Sequence, residues 1–447
     1  MSFSKEQLKW MAQILLERFG VTFIIEYFDD TLILSVAGHD EKITFPILEK
    51  NFYVLGTTTL NCYEWNANEN GLKGVIEPIL KAPSVNLLKQ PLIQYIDNGV
   101  LINYDILGLT YWMLNRLEEI GRSDLDTHGR FSARSSHAWK FDYLDRPIVD
   151  EWLDILGQVI KRVWGNVQLK KHNFQLNITH DVDVPARFGF SSPADLVKPI
   201  MADVLKRGKI YNLFLIPYIR FNTKYKIHDL DPYNTFDWIM SVSEKYNVKS
   251  SFYFICGNTD PSKDANYSLT HPAIQRLLLD IHKRGHEIGL HPSYNSYLNK
   301  DVISKEFLNL KSTCEELGII QNQWGGRMHF LRWRHPETML YWDECGLNYD
   351  STLGYADYAG FRAGTCYEYQ AFDAVHEISL NLRLKPLVAM ECTILHERYM
   401  GISENPLDLF LDLKRKCEKV NGIFTLLWHN SQLSSLSYKK IYEALFE

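Results

Sequence analysis

Two carboxylates separated by one residue, Asp181 and Asp183, follow an apolar run that begins at Phe174. Aspartate is rare in strands, and side chains at positions i and i+2 of a strand point to the same face. Two like charges on one face are unfavourable unless a cation lies between them or one carboxyl group stays protonated. The pair therefore indicates either a metal or acid/base site, or a polar turn in which the carboxylates bond backbone amides.

Two histidines could belong to the same site. His291 follows the apolar segment HEIGL, and His429 follows FTLLW. Carboxylate and imidazole together are the ligands of a zinc site that keeps an open position. A second carboxylate can take a proton from a metal-activated water, and a second histidine can protonate a leaving group. Asp181 with Asp183, His291 and His429 thus form three clusters, which together predict metal-assisted acid/base chemistry.

The elements that must position these clusters alternate between strand and helix from Asn173 onward. Strand-like FQLNITH, SSFYFICG and IFTLLWH are separated by helical segments such as HPAIQRLLLDIHKRG and DLFLDLKRKCEKVNG. This alternation favours a parallel sheet, open or closed into a barrel. Ligands of such folds bind at the C-terminal ends of the strands, where the three clusters lie.

The chain has 447 residues, too many for one ordinary core, so we predict two domains. Residues 1–170 begin with an amphipathic helix and continue with a hairpin, VTFIIEYF and TLILSVAG, around Asp29 and Asp30. Two strong helices follow, near ILGLTYWMLNRLEEI and VDEWLDILGQVIKRVW. We predict a smaller α/β domain over residues 1–170 and a strand–helix domain over residues 171–447.

Composition excludes several classes of function. The formal net charge of -6 leaves no electrostatic footprint for nucleic acid or acidic membranes. Seven cysteines without a CxxC pair indicate reduced thiols and no thiolate zinc site. The N-terminal segment lacks the apolar run of a signal peptide, and the most apolar stretch, NLFLIPYIRF, is short and interrupted by Pro217. We predict a cytoplasmic protein with no membrane span and no nucleic-acid partner.

The motifs of the second domain resemble those of the polysaccharide deacetylase (NodB-homology, carbohydrate esterase family 4) family, whose members share a distorted (β/α) barrel. THDVD resembles the first motif, which implies that Asp181 is the general base and Asp183 a metal ligand. GHEIGLHPSYNS resembles the second motif and implies that His291 is a ligand. The family's second histidine, four residues later, is replaced here by Asn295.

Two further motifs complete the resemblance. GGRMHF resembles the third motif, which implies that Arg327 orients the base and that a backbone N–H near Phe330 holds the oxyanion. LLWHNS resembles the last motif and implies that His429 is the general acid. The fourth motif is poorly defined, and Asp350 in NYDST is the candidate that would orient His429.

The third metal ligand is left open between two residues. The family normally has proline where this chain has His329, and if MHFLRW is a strand, Arg327 and His329 share a face. The alternative is that His329 packs under the rim while Asn295 or water completes the coordination, although an amide oxygen binds zinc less well than imidazole. The loop DSTLGYADYAGFRAGT could bind substrate through Tyr355 and Arg362, or could be an ordinary barrel loop.

The resemblance implies hydrolysis of an N-acyl group, expected to be N-acetyl, from an amino sugar with a divalent metal, expected to be Zn²⁺. The substrate would be a glycan or a nucleotide-linked or lipid-linked precursor in bacterial surface-polysaccharide assembly. Two alternatives stay open: an amidohydrolase for a small cyclic or linear amide, and a catalytically silent glycan-binding protein. RLEEI, DTHGRF and the stretch around RPIVDEW make residues 1–170 similar to an uncharacterised domain that precedes such deacetylase domains. That domain could close over the barrel mouth or bind the rest of a long substrate.

Overall fold

The computed structural model describes residues 3–47 and 60–447. Residues 1–2 and 48–59 of the predicted N-terminal domain lie outside the described residues. The described residues form mixed α/β architecture with one five-stranded sheet, one nine-stranded sheet and a separate two-stranded ribbon. Among the described residues, no helix is both long enough and apolar enough to span a bilayer.

The N-terminal part begins with helix α1 (Lys5–Phe19), which Ser4 caps by accepting a hydrogen bond from the Gln7 backbone N–H. The predicted hairpin is confirmed: strands β1 (Ile24–Phe28) and β2 (Thr31–Ser35) are antiparallel around Asp29 and Asp30. The other elements are β3 (Lys42–Pro46), β4 (Asn61–Asn66), β5 (Ile79–Ser84), β6 (Ile93–Ile96), β7 (Gly99–Ile102), α2 (Ile106–Leu114), α3 (His137–Lys140) and α4 (Ile148–Val163). The sheet order is β1-β2-β3-β7-β6, and β4 pairs only with β5 among the described strands.

The second part contains the nine-stranded sheet. Its strands are β8 (Gln175–Val182), β9 (Ser250–Ile255), β10 (Glu287–His291), β11 (Gly325–Gly326), β12 (Tyr349–Asp350), β13 (Tyr369–Asp373), β14 (Ile378–Leu384), β15 (Ala389–Met390) and β16 (Ile423–Leu427). The helices are α5 (Pro193–Arg207), α6 (Asn212–Asn222), α7 (Phe236–Lys245), α8 (Pro272–Lys283), α9 (Lys300–Glu316), α10 (Glu337–Glu344), α11 (Glu391–Leu395), α12 (Pro406–Lys419) and α13 (Leu436–Ala444).

The strand order of this sheet is β13-β14-β12-β11-β10-β9-β8-β16-β15. Every neighbouring pair is parallel except β13 and β14, so the predicted parallel sheet is confirmed. The order is linear among the described residues: β13 and β15 are end strands, and no pairing closes the sheet into a barrel.

Parallel register brings the carboxyl ends of the eight strands β8, β9, β10, β11, β12, β14, β15 and β16 to one edge of the sheet. β8 ends next to Asp183, β10 ends at His291, and β11 ends next to Arg327. Glycine is required in β11, because a Cβ added at Gly326 would lie 1.8 Å from the carbonyl oxygen of Leu290. This close approach places Arg327 directly beside the end of β10.

One continuous apolar core joins the two parts of the chain, with buried members from both. Trp10 Nε1 donates to the carbonyl oxygen of Gln370 at 3.0 Å, and the Val149 N–H donates to the carbonyl oxygen of Gly364 at 2.8 Å. The boundary that we predict near residue 170 is therefore crossed by buried contacts.

Candidate metal centre and active site

Asp181 and Arg327 form a buried pair at the end of β8. Asp181 Oδ1 accepts a hydrogen bond from Arg327 Nη1 at 2.9 Å. The guanidinium is fully buried and is held by Ser351, whose carbonyl oxygen accepts from Nε at 2.9 Å and whose hydroxyl accepts from Nη2 at 3.0 Å. Two hydrogen bonds to Ser351 therefore fix the Arg327 guanidinium, which in turn orients the Asp181 carboxylate through the third.

Asp183, His291 and His329 bring one ligand atom each within 4.8 Å of one another. Nε2 of His291 lies 3.2 Å from Asp183 Oδ1, and Nε2 of His329 lies 3.7 Å from the same oxygen. The three side chains come from the end of β8, the end of β10 and the turn after β11. This is a carboxylate and two imidazoles facing a common point.

Hydrogen bonds on the far side of each imidazole orient both rings. His291 Nδ1 lies 2.6 Å from the carbonyl oxygen of Arg327, so Nδ1 carries the proton and donates it. His329 Nδ1 lies 3.2 Å from Asp264 Oδ1. Such carbonyl and carboxylate partners are typical of metal-binding histidines, because they leave the Nε2 lone pair free for the metal.

The residues fit a divalent cation. With its proton on Nδ1, His291 presents an acceptor nitrogen to an acceptor oxygen of Asp183 at 3.2 Å, a contact that needs a proton or a cation. Asp183 Oδ1 is itself buried without a hydrogen-bond partner among the described residues. Two imidazoles and one carboxylate are the ligand set of an open zinc site.

The charges at this point are strongly coupled. Burial alone would lower the pKa of His329, but the carboxylates of Asp183 and Asp264 raise it to about 9. Burial alone would raise the pKa of Asp183, but His329, His291 and His429 hold it well below its usual range. Asp183 and Asp264 therefore stabilise a positive charge at this point.

Asn295 lies apart from this group. Its side chain is exposed, its Nδ2 donates to the carbonyl oxygen of Thr259 at 3.2 Å, and its Oδ1 accepts from Arg332 Nη1 at 3.1 Å. Of the two candidates for the third ligand, the structure brings His329 beside Asp183.

MHFLRW does not form the strand that would place Arg327 and His329 on one face. β11 contains only Gly325 and Gly326, and residues 329–331 form a single 3₁₀ turn. Phe330 (φ 61) and Leu331 (φ 55) adopt the left-handed conformation, which ends any extended run. His329 therefore reaches the site through a turn and not through strand alternation.

His429 follows β16 and is paired with Glu391, a residue that the sequence analysis missed. His429 Nδ1 lies 2.6 Å from Glu391 Oε1, and its Nε2 lies 3.6 Å from Asp183 Oδ2. Burial would lower the pKa of His429, but the Glu391 carboxylate and the Cys392 side chain raise it well above its ordinary value. Glu391 directly follows the short strand β15, so an acidic residue after the apolar run LVAM was the available signal.

Asp350, the expected partner of His429, has a different role. Its Oδ1 accepts from the Thr352 N–H at 2.8 Å, and burial raises its pKa to about 6. Cys392 forms a second group of close ligand atoms with Glu391 and His429. Burial raises the pKa of the Cys392 thiol to about 12, which disfavours the thiolate that a metal requires.

Tyr355 and Arg362, the residues proposed for a substrate-binding loop, are buried at the junction with the N-terminal part. Arg362 Nη2 lies 2.5 Å from Glu119 Oε2, and the Tyr355 hydroxyl accepts from Arg116 Nη2 at 3.1 Å. Both side chains are at most 3% exposed and do not line an open surface. Phe330 is half-buried, with its ring centroid 4.7 Å from that of His329.

The N-terminal part also reaches the site. Arg130 Nη1 donates to the carbonyl oxygen of Phe330 at 2.8 Å, while Asp126 holds the same guanidinium. The ring of His128 lies 4.9 Å from that of Phe330. A cavity of about 280 Å³ beside these residues is lined by Asp126, Thr127, His128, Arg130, Arg134, Asp357, Arg398 and Tyr399. The DTHGR segment thus forms one wall next to the candidate centre.

Comparisons with known proteins give distant similarities. Residues 57–165 match the model of DUF7033, a family of unknown function. A putative polysaccharide deacetylase from Mycobacterium smegmatis is 18% identical over 62% of this chain and 83% of that chain, with a TM-score of 0.39. A mutant of a CE4 family pseudoenzyme with restored enzymatic activity is 12% identical over 62% of this chain and 61% of that chain, with a TM-score of 0.31.

A third solved structure, Puue allantoinase, is 12% identical over 61% of this chain and 83% of that chain, with a TM-score of 0.36. No curated protein matches the chain. Similarity at these identities and TM-scores carries no functional conclusion, so function has to be argued from the geometry of the site.

Proposed function

We propose that this protein is a metal-dependent hydrolase that removes an N-acyl group, N-acetyl in the simplest case, from an amino sugar. One observation carries the proposal: a metal-ligand set, an arginine-oriented carboxylate and a carboxylate-paired histidine converge at one edge of a parallel sheet. Together these groups can supply the metal activation, the general base and the general acid of a metal-assisted amide hydrolysis. We also propose that the nine-stranded sheet is a distorted, incompletely closed (β/α) barrel, with β8–β12 as its continuous wall.

Asp183, His291 and His329 would hold the metal, for which zinc suits the donor set. When bound, zinc supplies Lewis acidity, which polarises a carbonyl group and lowers the pKa of water from ~15.7 to ~7. The other steps belong to side chains of the chain itself.

Asp181 is the general base in this mechanism. Its Oδ2 lies 3.7 Å from His291 Nε2, so the carboxylate borders the centre, while Arg327 binds its other oxygen. Arg327 fixes the free oxygen toward the attacking water and stabilises the ionised carboxylate. Asp181 takes the proton of that water as it adds to the acyl carbon.

His429 is the general acid. An amine leaves only when protonated, and Nε2 of His429 is the ring nitrogen that faces the centre. Glu391 binds Nδ1 at 2.6 Å and stabilises the imidazolium form, so the ring holds a proton to deliver. The ring is 15% exposed, which leaves it accessible from the substrate side.

The position of His329 favours an enzyme over a silent glycan-binding protein. The alternative of a catalytically silent protein depended on the absence of the second histidine from the second motif. His329 offers an imidazole to the same centre. No contact at the site favours a small cyclic amide over an amino sugar.

The test is acetate release from N-acetylglucosamine oligosaccharides by purified protein loaded with Zn²⁺, with a small cyclic amide assayed in parallel. Asp181→Asn should keep its zinc and lose about 10²- to 10⁴-fold in kcat, which is the usual contribution of a general base. Asp183→Ala should lose the zinc. Absence of acetate release with every divalent metal tried would contradict the proposal, and turnover of the cyclic amide alone would redirect it to that substrate class.

A further inference from the structure

A helical hairpin follows the strand that carries Asp181. Helices α5 and α6 are inserted between β8 and α7 and pack against each other around a small core of their own. That core consists of Phe188, Leu196, Ile216 and Ile219, with two half-buried neighbours. Most of the hairpin's remaining apolar surface stays uncovered.

The exposed apolar side chains of the hairpin form stripes. Ten large apolar residues between positions 197 and 225 are exposed, among them Phe214 at 78% and Phe221 at 69%. On α5, Met201 and Leu205 are four residues apart, and on α6, Phe214, Tyr218 and Phe221 are spaced by four and three. Such spacing places the side chains of each helix on one face. Exposed apolar side chains gathered in stripes of this kind are typical of an interaction surface.

The α5–α6 hairpin is rich in basic residues. Residues 193–226, which begin with α5, contain seven lysines and arginines and two acidic residues, Asp195 and Asp203, in a chain whose net charge is -6. Asp203 is buried, and its carboxylate accepts a hydrogen bond from Asn212 at 2.6 Å. Lys206 and Lys209 are exposed at the tip of the hairpin. A second copy of the chain on a twofold axis would set these positive charges against each other.

Basic residues beside an aromatic and aliphatic face are the features of helices that lie in a membrane interface. α6 has 11 residues, about 16 Å of helix, and is therefore too short to cross a hydrocarbon core of about 30 Å. The face suits insertion into the headgroup region, with the lysines against anionic lipid.

The base of the hairpin lies next to the candidate centre. Phe190, just before α5, contacts the ring of Tyr267 at a centroid distance of 6.2 Å. The Tyr267 hydroxyl donates to the carbonyl oxygen of Val182, the residue before Asp183, at 2.8 Å. After α6, Asp231 accepts hydrogen bonds from the backbone N–H groups of Arg187 and Phe188. The hairpin thus emerges from the same edge of the sheet as the proposed ligands.

We propose that the hairpin docks the protein on an anionic lipid bilayer and so brings the site to an amino sugar carried on a lipid. The docking itself is independent of the chemistry, whereas the substrate half of the inference rests on the proposed function.

Docking is tested by co-sedimentation of the full chain with vesicles of phosphatidylcholine containing phosphatidylglycerol, and with vesicles of phosphatidylcholine alone. The protein should bind the anionic vesicles more tightly, and binding should weaken as salt screens the lysines. Phe214→Gln combined with Phe221→Gln should lower the partition coefficient about tenfold or more, because the two aromatic rings that the lipid would bury are lost.

Phe28→Gln is the matched control, since Phe28 is 74% exposed on β1 and lies outside the α5–α6 hairpin. It should bind vesicles like the unmodified protein. Equal vesicle binding by the control and the double variant, or no binding by the unmodified protein, would overturn the docking. Sedimentation velocity without lipid tests whether a second copy of the chain occupies this face. If the unmodified protein is a dimer and the double variant is a monomer, the face belongs to a second copy and the proposal is overturned.

Two further measurements separate docking from chemistry. Asp183→Ala, which lacks a proposed metal ligand, should bind vesicles normally, so a failure of the hydrolase proposal leaves the docking result standing. With N-acetylglucosamine on a vesicle-borne lipid, the double variant should lose kcat/KM about tenfold, while its rate on a soluble oligosaccharide stays unchanged. Equal rates on both substrates before and after substitution would overturn the substrate half.

Discussion

His329 contributes the third side chain of the proposed metal centre, with Nε2 facing Asp183 and Nδ1 facing Asp264. Removing an imidazole ligand leaves two protein ligands, fewer than an open zinc site normally has. His329→Ala should therefore lose zinc during dialysis against a weak chelator. Asn295→Ala should retain it, because the Asn295 amide is bonded to Thr259 and Arg332. Metal content per chain, measured by mass spectrometry, decides between them.

Asp264→Asn refines the same comparison. The loss of the carboxylate behind His329 should weaken zinc binding about 10- to 100-fold, the usual effect of removing such a partner. Full zinc occupancy in His329→Ala, or zinc loss confined to Asn295→Ala, would return the third ligand to position 295.

At the scale of elements, the turn over residues 329–331 depends on a segment of the N-terminal part. Arg130 is buried, bonded to Asp126, and donates to the carbonyl oxygen of Phe330, whose φ of 61 is unusual for a bulky residue. The proposed oxyanion donor is a backbone N–H of this turn, so its orientation depends on the Arg130 contact.

Arg130→Gln should lower kcat for acetate release, by up to the 10²- to 10³-fold that one oxyanion donor is worth. Arg130→Lys, which can still donate one hydrogen bond to Phe330, should recover part of that loss. Arg134→Gln is the control, because Arg134 is exposed on the same segment and does not touch the turn. If Arg130→Gln and Arg134→Gln have the same kcat, the turn is not positioned by the N-terminal part.

For the whole molecule, three buried histidines make stability sensitive to acid. Burial lowers the pKa of His137, His180 and His335 to about 4 each, against ~6.5 in an unfolded chain. Below pH ~6.5 the unfolded state therefore binds more protons than the folded state, and stability falls as pH drops toward 4. Each histidine contributes about 3 kcal/mol to this loss by the relation between pKa shift and free energy.

Buried carboxyl groups act in the opposite direction. Burial raises the pKa of Asp350 to about 6, so its contribution favours the folded state more strongly at acid pH. A comparison of variants isolates the histidine effect: His335→Gln should flatten the dependence of the urea unfolding free energy on pH between 6.5 and 4. His282→Gln, at a half-buried histidine in the last turn of α8, is the control. An unchanged slope in His335→Gln would show that this ring is protonated in the folded protein.

Much of the fold follows from local properties of the sequence. Apolar runs alternating with helical segments predict the parallel sheet, and parallel register brings the strand ends together, which is why Asp181, Asp183, His291 and His429 could be assigned to one site. The same locality explains the error at MHFLRW. An apolar, aromatic run looks like a strand, and left-handed backbone at Phe330 and Leu331 is set by distant contacts such as Arg130.

What the sequence by itself determined is therefore the alternation of elements and the chemistry at the strand ends, because both depend on neighbouring residues. Only the tertiary structure decided the partners that come from far along the chain. Glu391 contacts His429 because β15 lies beside β16, and Arg362 forms an ion pair with Glu119. The net charge of -6 argued against acidic membranes, yet the α5–α6 hairpin combines seven basic residues with ten exposed apolar side chains. An average over the chain cannot report which side chains the fold leaves together on the surface.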